Sequence, residues 1–183
     1  IKTLIAQLSS QKSYVEKFLN EAKSVARLNH NNIIKGIDIG QHKGHYYFIM
    51  EFVDGPTLQE KLNKEGIFSE KDALQITLQM AEAIRYINQF GIVHRDIKPD
   101  NIILTLQNIP KLADLGLVLT KNQVETKPAP SAIINSGNES HSGNTSVVNT
   151  SFVGTPHYIS PEQAQQKEVD FRSDVYSLGA TLF

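Results

Sequence analysis

Residues 94–101, HRDIKPDN, are the part of the sequence that decides the fold. Short apolar runs lie on both sides of this string, and four of its eight residues are charged. A second apolar run at 109–112, IPKL, leads to another acidic residue, Asp114. Polar loops braced by short strands are typical of catalytic surfaces, so the two stretches together predict one.

The composition is that of an ordinary globular domain. The chain has 183 residues, of which 40% are hydrophobic and 20% are charged, and its 18 Lys and Arg against 19 Asp and Glu give a net charge of −1. This length suffices to bury a core, and the composition excludes collagen-like, coiled-coil and disordered chains. Because basic and acidic residues are interleaved, we expect neither nucleic acid nor an anionic membrane as a partner.

The chain contains no cysteine, which excludes a disulfide scaffold, a thiol nucleophile and a thiolate zinc site. No apolar run approaches the roughly 18 residues of a membrane-spanning helix, and the first residues do not form a signal peptide. Since the sequence begins with Ile1, we expect it to be part of a longer protein. We expect a cytoplasmic location for this part, with any membrane anchor of the parent protein outside it.

An amphipathic helix followed by two strands is predicted for the first third of the chain. Apolar side chains repeat at helical spacing through residues 13–28, and Ser13 with Glu16 has the spacing of a capping box. The segments 33–40 and 45–53 are rich in β-branched and aromatic residues. Because a short turn separates them, the two segments should pair as antiparallel strands.

Two further helices are predicted after the second strand. Thr57 and Glu60 should cap a short helix that ends near Gly66, and Ser69 should open a long helix that ends at Gly91. The predicted buried face of the long helix consists of Ala73, Ile76, Met80, Ala83, Ile84 and Ile87.

Residues 120–151 differ from the rest of the chain, because 19 of these 32 residues are Ser, Thr, Asn, Gly or Pro and only four are charged. Such a stretch cannot bury enough apolar area to offset its ordering entropy, so we expect a disordered insertion. Order should return at Phe152. Ser160 and Pro161 then have the pattern of a helix start, and a last, mostly apolar helix should begin near Ser173.

The string at 94–101 resembles the catalytic loop of the protein kinases, and further motifs follow in that family's order. Residues 114–116, DLG, resemble the Asp-Phe-Gly element, and residues 154–156, GTP, resemble the substrate-facing loop. Residues 160–162, SPE, are similar to Ala-Pro-Glu, and residues 174–179, DVYSLG, are similar to the central helix of the large lobe. The residues of these motifs are most similar to those of the serine/threonine branch and, within it, to those of bacterial eukaryotic-like kinases.

This resemblance implies an α+β fold, namely an incomplete protein-kinase-like bilobal fold. Residues 1–53 would form a partial, β-rich small lobe with the hinge, and residues 54–183 a partial, mainly helical large lobe truncated within its central helix. Residues 114–162 would be the activation segment. The implied reaction is transfer of the γ-phosphate of ATP to Ser or Thr hydroxyls of protein substrates, with ATP and Mg²⁺ as cofactors. Because the glycine-rich phosphate loop expected before Lys2 is absent from the sequence, we expect these 183 residues alone to transfer little phosphate.

Four residues carry the implied chemistry. Asp96 can accept the proton of the substrate hydroxyl, and Lys98 can reach the transferring phosphate from the same loop. Asn101 and Asp114 offer the hard oxygen ligands that suit Mg²⁺. A single Asp would be interpreted as a cap or turn residue, and the ordered set of motifs reverses that interpretation.

By the same resemblance, Lys2 and Glu21 match the ion pair that holds the α- and β-phosphates of ATP. From the residues alone, both would be solvated surface charges. Thr57 matches the ribose-contacting position, although its pattern is equally that of an N-cap.

The segment from Met50 to Val53 matches the hinge. Backbone groups of Glu51 and Val53 would bond the adenine edge, Met50 would gate the pocket behind it, and Ile103 would form the floor beneath the base. By pattern alone, Met50 and Ile103 are simply core residues.

Four residues are candidates for regulation. A phosphate on Thr150 or Ser151 could bond Arg95 and draw in Lys17, and Thr155 would bridge the catalytic Asp and Lys by the resemblance. The alternative is a tolerated insertion whose Ser and Thr keep it soluble.

Two other functions remain open. A pseudokinase scaffold would be expected to lose Asp96, Lys2 or Asp114, and none is lost. A small-molecule phosphotransferase of related fold shares the Asp and Asn pattern but would lack the GTPHYISPE element at 154–162, which serves a protein substrate.

Overall fold

The computed structural model describes residues 1–4, 9, 11–115 and 157–183, and for Lys17 and Glu21 it describes the backbone alone. The predicted insertion at 120–151 and the motif at 154–156 therefore lie outside the described residues.

A three-stranded antiparallel sheet forms the first part of the structure, in the order β1-β3-β2. The turn between its two longer strands consists of Lys43 and Gly44, whose φ angles of 47° and 81° are both positive, as a two-residue hairpin turn requires. The predicted strand pair is confirmed, with the turn confined to these two residues. The strands are β1 (Lys2–Thr3), β2 (Gly36–His42) and β3 (His45–Met50).

Helix α1 (Lys12–Ala26) lies against this sheet, but it does not begin with the predicted capping box. Its N-cap is Gln11, which makes no side-chain cap, so Ser13 lies inside the helix. The carbonyl of Gln11 already accepts bonds from Tyr14 and Val15, at 3.0 and 3.2 Å. The prediction for Ser13 was therefore wrong, because the chain becomes helical before reaching it. The face that α1 buries consists of Val15, Phe18, Ala22 and Val25.

Two capped helices follow the hinge, as predicted. Thr57 and Glu60 form a reciprocal capping box at the start of α2 (Leu58–Glu65), and Ser69 accepts a bond from the Asp72 N–H at the start of α3 (Glu70–Gln89).

The buried face of α3 is shorter than predicted. Met80, Ala83, Ile84 and Ile87 are buried, whereas Ala73 and Ile76 are only half-buried, and Ile76 packs against the edge of the core. Gly91 follows the helix with a φ of 68°, the left-handed conformation of a terminating glycine.

The catalytic-loop motif lies between α3 and a small antiparallel pair, β4 (Ile102–Leu104) and β5 (Pro110–Leu112), with a 3-10 turn at Pro99–Asn101. The small-lobe segment before β2 joins this pair, because the Leu112 N–H donates to the Asn32 carbonyl at 2.8 Å and the Ile34 N–H donates to the Leu112 carbonyl at 3.0 Å. The base of the small lobe is thus connected to the strand that leads to Asp114.

Two helices complete the described part, α4 (Pro161–Ala164) and α5 (Phe171–Leu182). Ser160 is the N-cap of α4, as predicted. Helix α5 is capped by Asp170 and begins before the predicted Ser173. Ser173 is instead fully buried within α5 and donates a hydrogen bond to Glu162, because the tertiary contact between α4 and α5 takes its hydroxyl.

One hydrophobic core runs through the described residues of both lobes. Phe18, Val25 and Phe48 contribute to it from the small lobe, and Met80 and Ile97 contribute from the large lobe. No helix in the described ranges is both long and apolar enough to cross a membrane.

Candidate active site

The residues of the catalytic-loop motif converge on the Asp96 carboxylate. Lys98 Nζ lies 3.0 Å from Asp96 Oδ2, and Asn101 Nδ2 donates to the same oxygen at 2.9 Å and to the Asp96 carbonyl at 2.7 Å. Only 15% of the Asp96 side chain and 20% of the Lys98 side chain are exposed, so water screens their attraction only in part. The loop therefore holds one oriented carboxylate beside one cation.

A second acidic group comes from the residues after β5. Asp114 is exposed, and its Oδ1 lies 2.6 Å from the Nζ of Lys2 on β1. The Ala113 N–H donates to the Asn101 carbonyl at 2.8 Å, which places the residue before Asp114 directly beside Asn101. Strand β1, the catalytic loop and the end of β5 therefore meet at one place.

The backbone of the catalytic loop is held by Asp174 of α5. Its two carboxylate oxygens accept hydrogen bonds from the N–H groups of His94 and Arg95, both at 2.8 Å. His94 is fully buried, and its Nε2 lies 3.0 Å from the Ala113 carbonyl. A carboxylate from a distant helix thus fixes the chain immediately before Asp96.

Burial is the largest influence on the pKa values of Asp174 and Arg95. It raises the pKa of Asp174, against the opposing effects of the nearby His94, of Arg95 and of the two backbone N–H bonds. Burial also lowers the pKa of the Arg95 guanidinium, an effect that the Asp174 carboxylate opposes. The pKa of the Glu162 carboxyl is lowered, chiefly by the hydrogen bond that it accepts from Ser173.

Asn101 and Asp114 both present oxygen atoms that could bind a cation. The Nδ2 atom of Asn101 is used by Asp96, which leaves Oδ1 as the amide atom able to bind a cation. Asp114 supplies a carboxylate from the adjoining segment. Among the described residues there is no cluster of three or more His, Cys, Asp or Glu side chains that could hold a metal. Two hard oxygen donors without a complete protein cage fit Mg²⁺, which usually keeps waters and binds substrate phosphates.

The predicted hinge is anchored to β5 through the side chain of Glu51, a residue for which the sequence predicts only a backbone role. Glu51 Oε1 lies 2.8 Å from Nζ of Lys111 on β5, and Glu51 Oε2 accepts from the Lys35 N–H at 3.2 Å. The Glu51 N–H donates to the Lys35 carbonyl at 2.8 Å. The Glu51 carbonyl is therefore the backbone group of this residue that could contact adenine.

The other predicted nucleotide-binding residues lie at the end of β3, in the segment after it, at the start of α2 and on β4. Met50 ends β3 and packs against the core, and Val53 follows it in the hinge. Thr57 forms a backbone bridge with the half-buried Ile103, which brings the start of α2 beside β4. Thr57 is an N-cap, and its contact with ribose stays a prediction.

Several predicted residues fall outside the described part of the chain. Thr150, Ser151 and Thr155 lie outside the described residues. For Glu21 and Lys17 the backbone is described and the side chain is not. The structure places Lys2 beside Asp114, and the predicted Lys2–Glu21 pair stays a prediction.

The sequence gives no direct indication of the supporting contacts made by Asp174 and Lys111. In the sequence, Asp174 is only the first residue of the DVYSLG motif, and no local pattern connects it with a loop some 80 residues earlier. The available signal in the sequence was an acidic residue near the start of a mostly apolar helix, since a charge that is buried there needs a partner.

A family model for the protein kinase domain matches residues 1–183. The chain belongs to the protein kinase family. This protein kinase domain is 37% identical over 188 residues to the serine/threonine-protein kinase PknB of Mycobacterium tuberculosis, a match that covers 100% of the chain and 27% of the relative. It is 35% identical over 187 residues to the probable serine/threonine-protein kinase SCO3848 of Streptomyces coelicolor, covering 100% of the chain and 25% of that relative.

A third bacterial relative is the probable serine/threonine-protein kinase CPE1738 of Clostridium perfringens, which is 30% identical over 183 residues, with 100% of the chain and 24% of the relative covered. The kinase domain sequence thus spans about a quarter of the length of the curated relatives it matches. The predicted family, its serine/threonine branch and the similarity to bacterial members are confirmed.

Proposed function

We propose that the full-length protein is an ATP-dependent serine/threonine kinase that acts on protein substrates. The observation that carries this proposal is the arrangement on one loop of the Asp96 carboxylate, with Lys98 Nζ at 3.0 Å and Asn101 Nδ2 at 2.9 Å. Phosphoryl transfer needs alignment and neutralisation of spread charge more than covalent chemistry, and these groups supply both.

Asp96 acts on the nucleophile. Its carboxylate accepts the proton of a Ser or Thr hydroxyl while the hydroxyl oxygen bonds the γ-phosphorus and the bond from that phosphorus to the bridging oxygen of ADP breaks. Asn101 fixes the orientation of the carboxylate through its Nδ2 bond. Lys98, next to the same carboxylate, offers positive charge to the phosphoryl oxygens as the transfer proceeds.

The nucleotide lies between the lobes. Backbone groups of Glu51 and Val53 hold the adenine edge, with Met50 behind it, Ile103 beneath it and Thr57 near the ribose. Lys2 holds the α- and β-phosphates, with Glu21 as its ion-pair partner. Asn101 and Asp114 would hold Mg²⁺, which would supply positive charge to the phosphate oxygens.

A transfer assay tests this function. The full-length protein, incubated with radiolabelled ATP, Mg²⁺ and a Ser- and Thr-containing protein, should label Ser and Thr and leave Tyr unlabelled. Chelation of Mg²⁺ should abolish labelling. Tight ATP binding without any transfer would support a scaffold instead, and labelling of a small-molecule hydroxyl in preference to protein would support a small-molecule phosphotransferase.

A further inference from the structure

The side-chain amide of Gln163 connects the start of α4 with the catalytic loop. Its Nε2 donates to the Arg95 carbonyl at 2.9 Å, and its Oε1 accepts from the N–H and the hydroxyl of Ser160 at 3.2 and 3.1 Å. Arg95 and Gln163 are 68 positions apart in the chain. One half-buried side chain therefore makes hydrogen bonds both to the start of α4 and to the catalytic loop.

The chemistry of the partners fixes which way this amide points. The Ser160 N–H can only donate, and the Arg95 carbonyl can only accept. The amide oxygen must therefore face Ser160 and the amide nitrogen must face Arg95. A flipped amide would lose both contacts.

The Arg95 backbone needs such support because it is strained. Its φ of 71° lies in the left-handed region that non-glycine residues seldom adopt. Conformations of this kind persist where the surrounding structure fixes them. Here the Arg95 N–H is held by Asp174 of α5 at 2.8 Å, and the Arg95 carbonyl is held by Gln163 of α4.

The Arg95 carbonyl belongs to the peptide bond that joins Arg95 to Asp96. Because a peptide unit is planar, rotation of this carbonyl would also move the Asp96 N–H, which donates to His94 Nδ1 at 3.3 Å. The position of Gln163 thus bears on the orientation of Asp96 without any contact between Gln163 and the reacting atoms.

From this geometry we propose that Gln163 is a positioning residue, which couples the α4 end of the activation segment to Asp96 through the Arg95 carbonyl. The proposal rests on the proposed kinase function. It gives α4 a role in the reaction that the SPE motif does not itself supply, since the bond to the loop comes from the residue after that motif.

The substitution Gln163→Glu separates this role from helix capping. A carboxylate keeps the acceptor that faces Ser160, but it cannot donate to the Arg95 carbonyl. In the full-length protein kcat should fall by about tenfold while the KM for ATP changes little, since the altered bond orients Asp96 and does not bind nucleotide. Gln165→Glu, the same chemical change at an exposed position two residues on, should retain the wild-type kcat.

The pH profile supplies a readout that a merely structural role would not move. A protonated carboxyl can donate to the Arg95 carbonyl, so the ratio of variant to wild-type kcat should rise between about pH 8 and about pH 5 as the introduced carboxyl gains protons. Ser160→Ala removes a capping hydroxyl and keeps the Gln163 bond to Arg95. This variant should therefore have a lower melting temperature, with a comparatively small change in kcat.

Each outcome decides the matter. Wild-type kcat in Gln163→Glu overturns the inference, and so does a loss that follows the melting temperature and stays constant with pH. An inactive wild-type protein would instead refute the proposed kinase function and would remove the basis of the inference with it.

Discussion

Asn101 donates from a single nitrogen atom both to the carbonyl and to the carboxylate of Asp96, at 2.7 and 2.9 Å. The two bonds close a tight turn around the 3-10 segment and leave the carboxylate no freedom to rotate away from Lys98. Because Asn101 is buried, these bonds are made where water competes poorly. The proposed general base is therefore oriented before any substrate binds.

Replacing this base should stop the reaction without emptying the nucleotide site. We expect Asp96→Ala to reduce kcat by about 10²- to 10⁴-fold, the usual contribution of a general base, with much less effect on ATP affinity. Steady-state transfer rates and nucleotide titration of the same preparation measure the two quantities. Asp100→Ala, at an exposed neighbouring position, is the control and should keep its activity. Retention of most of kcat in Asp96→Ala would show that the role is assigned to the wrong residue.

The Glu51–Lys111 pair should give the domain an acid-sensitive component of stability. Burial raises the pKa of Glu51, but hydrogen bonds from Lys111 and the Lys35 N–H and the charges of both lysines outweigh it, so the pKa is lowered overall. A lowered pKa in the folded state stabilises the domain above the unfolded value of about 4.3, and this stabilisation disappears as the pH falls through the folded-state pKa.

Glu51→Gln should therefore destabilise the kinase domain by about 1 kcal/mol near neutral pH, and the difference from wild type should shrink below about pH 4. Denaturant unfolding at several pH values measures both effects. Glu82→Gln, on the exposed surface of α3, should change the free energy of unfolding little at any pH. A deficit in Glu51→Gln that is the same at every pH would contradict the electrostatic explanation.

Gly55 should tolerate no side chain. A Cβ atom at this position would overlap the carbonyl oxygen of Leu104, and the backbone there is held by the bond from the Leu104 N–H to the Pro56 carbonyl at 2.9 Å. We expect Gly55→Ala to lower the free energy of unfolding by about 1–3 kcal/mol, the range for overpacking. Thermal denaturation measures it.

A matched control for Gly55 is Gly44→Asn. Gly44 has open space around it and a φ of 81°, a conformation that asparagine accepts more readily than other residues with side chains. Because a side chain is strained at this φ, Gly44→Asn should lower the melting temperature slightly, and by less than Gly55→Ala. Equal stability of the two variants would mean that the approach of Gly55 to Leu104 is not a tight contact.

Phosphorylation at Thr150 or Ser151 is predicted to activate the enzyme. Among the described residues, Arg95 Nε is a buried side-chain nitrogen without a hydrogen-bond partner, and a phosphate near the catalytic loop could supply one. Mass spectrometry after incubation with ATP should find phosphate there, and the combined Thr150→Ala and Ser151→Ala variant should lose activity. Full activity of that variant, with no phosphate in the segment, would refute the prediction.

Local signals in the sequence determined the helix starts that depend on residues three positions apart. The capping box of Thr57 with Glu60 and the caps at Ser69 and Ser160 needed only the chain nearby, and the structure contains all three. The catalytic loop was recognisable for a similar reason, since its working residues lie within eight consecutive positions. By contrast, Ser13 had the right spacing for a cap and failed, because the helix already begins at Lys12 and the Gln11 carbonyl accepts its first bonds.

Only the tertiary structure decided which distant groups meet. Lys2 reaches Asp114 across 112 positions, Lys111 reaches Glu51 across 60, and Asp174 reaches Arg95 across 79. No periodicity or motif specifies such contacts, because they depend on how α5 and the two sheets pack around the shared core. The sequence by itself thus predicted which residues carry the proposed chemistry, whereas packing determined which carboxylates and amides hold those residues in place, since a buried polar group must take its partner from whatever element folds against it.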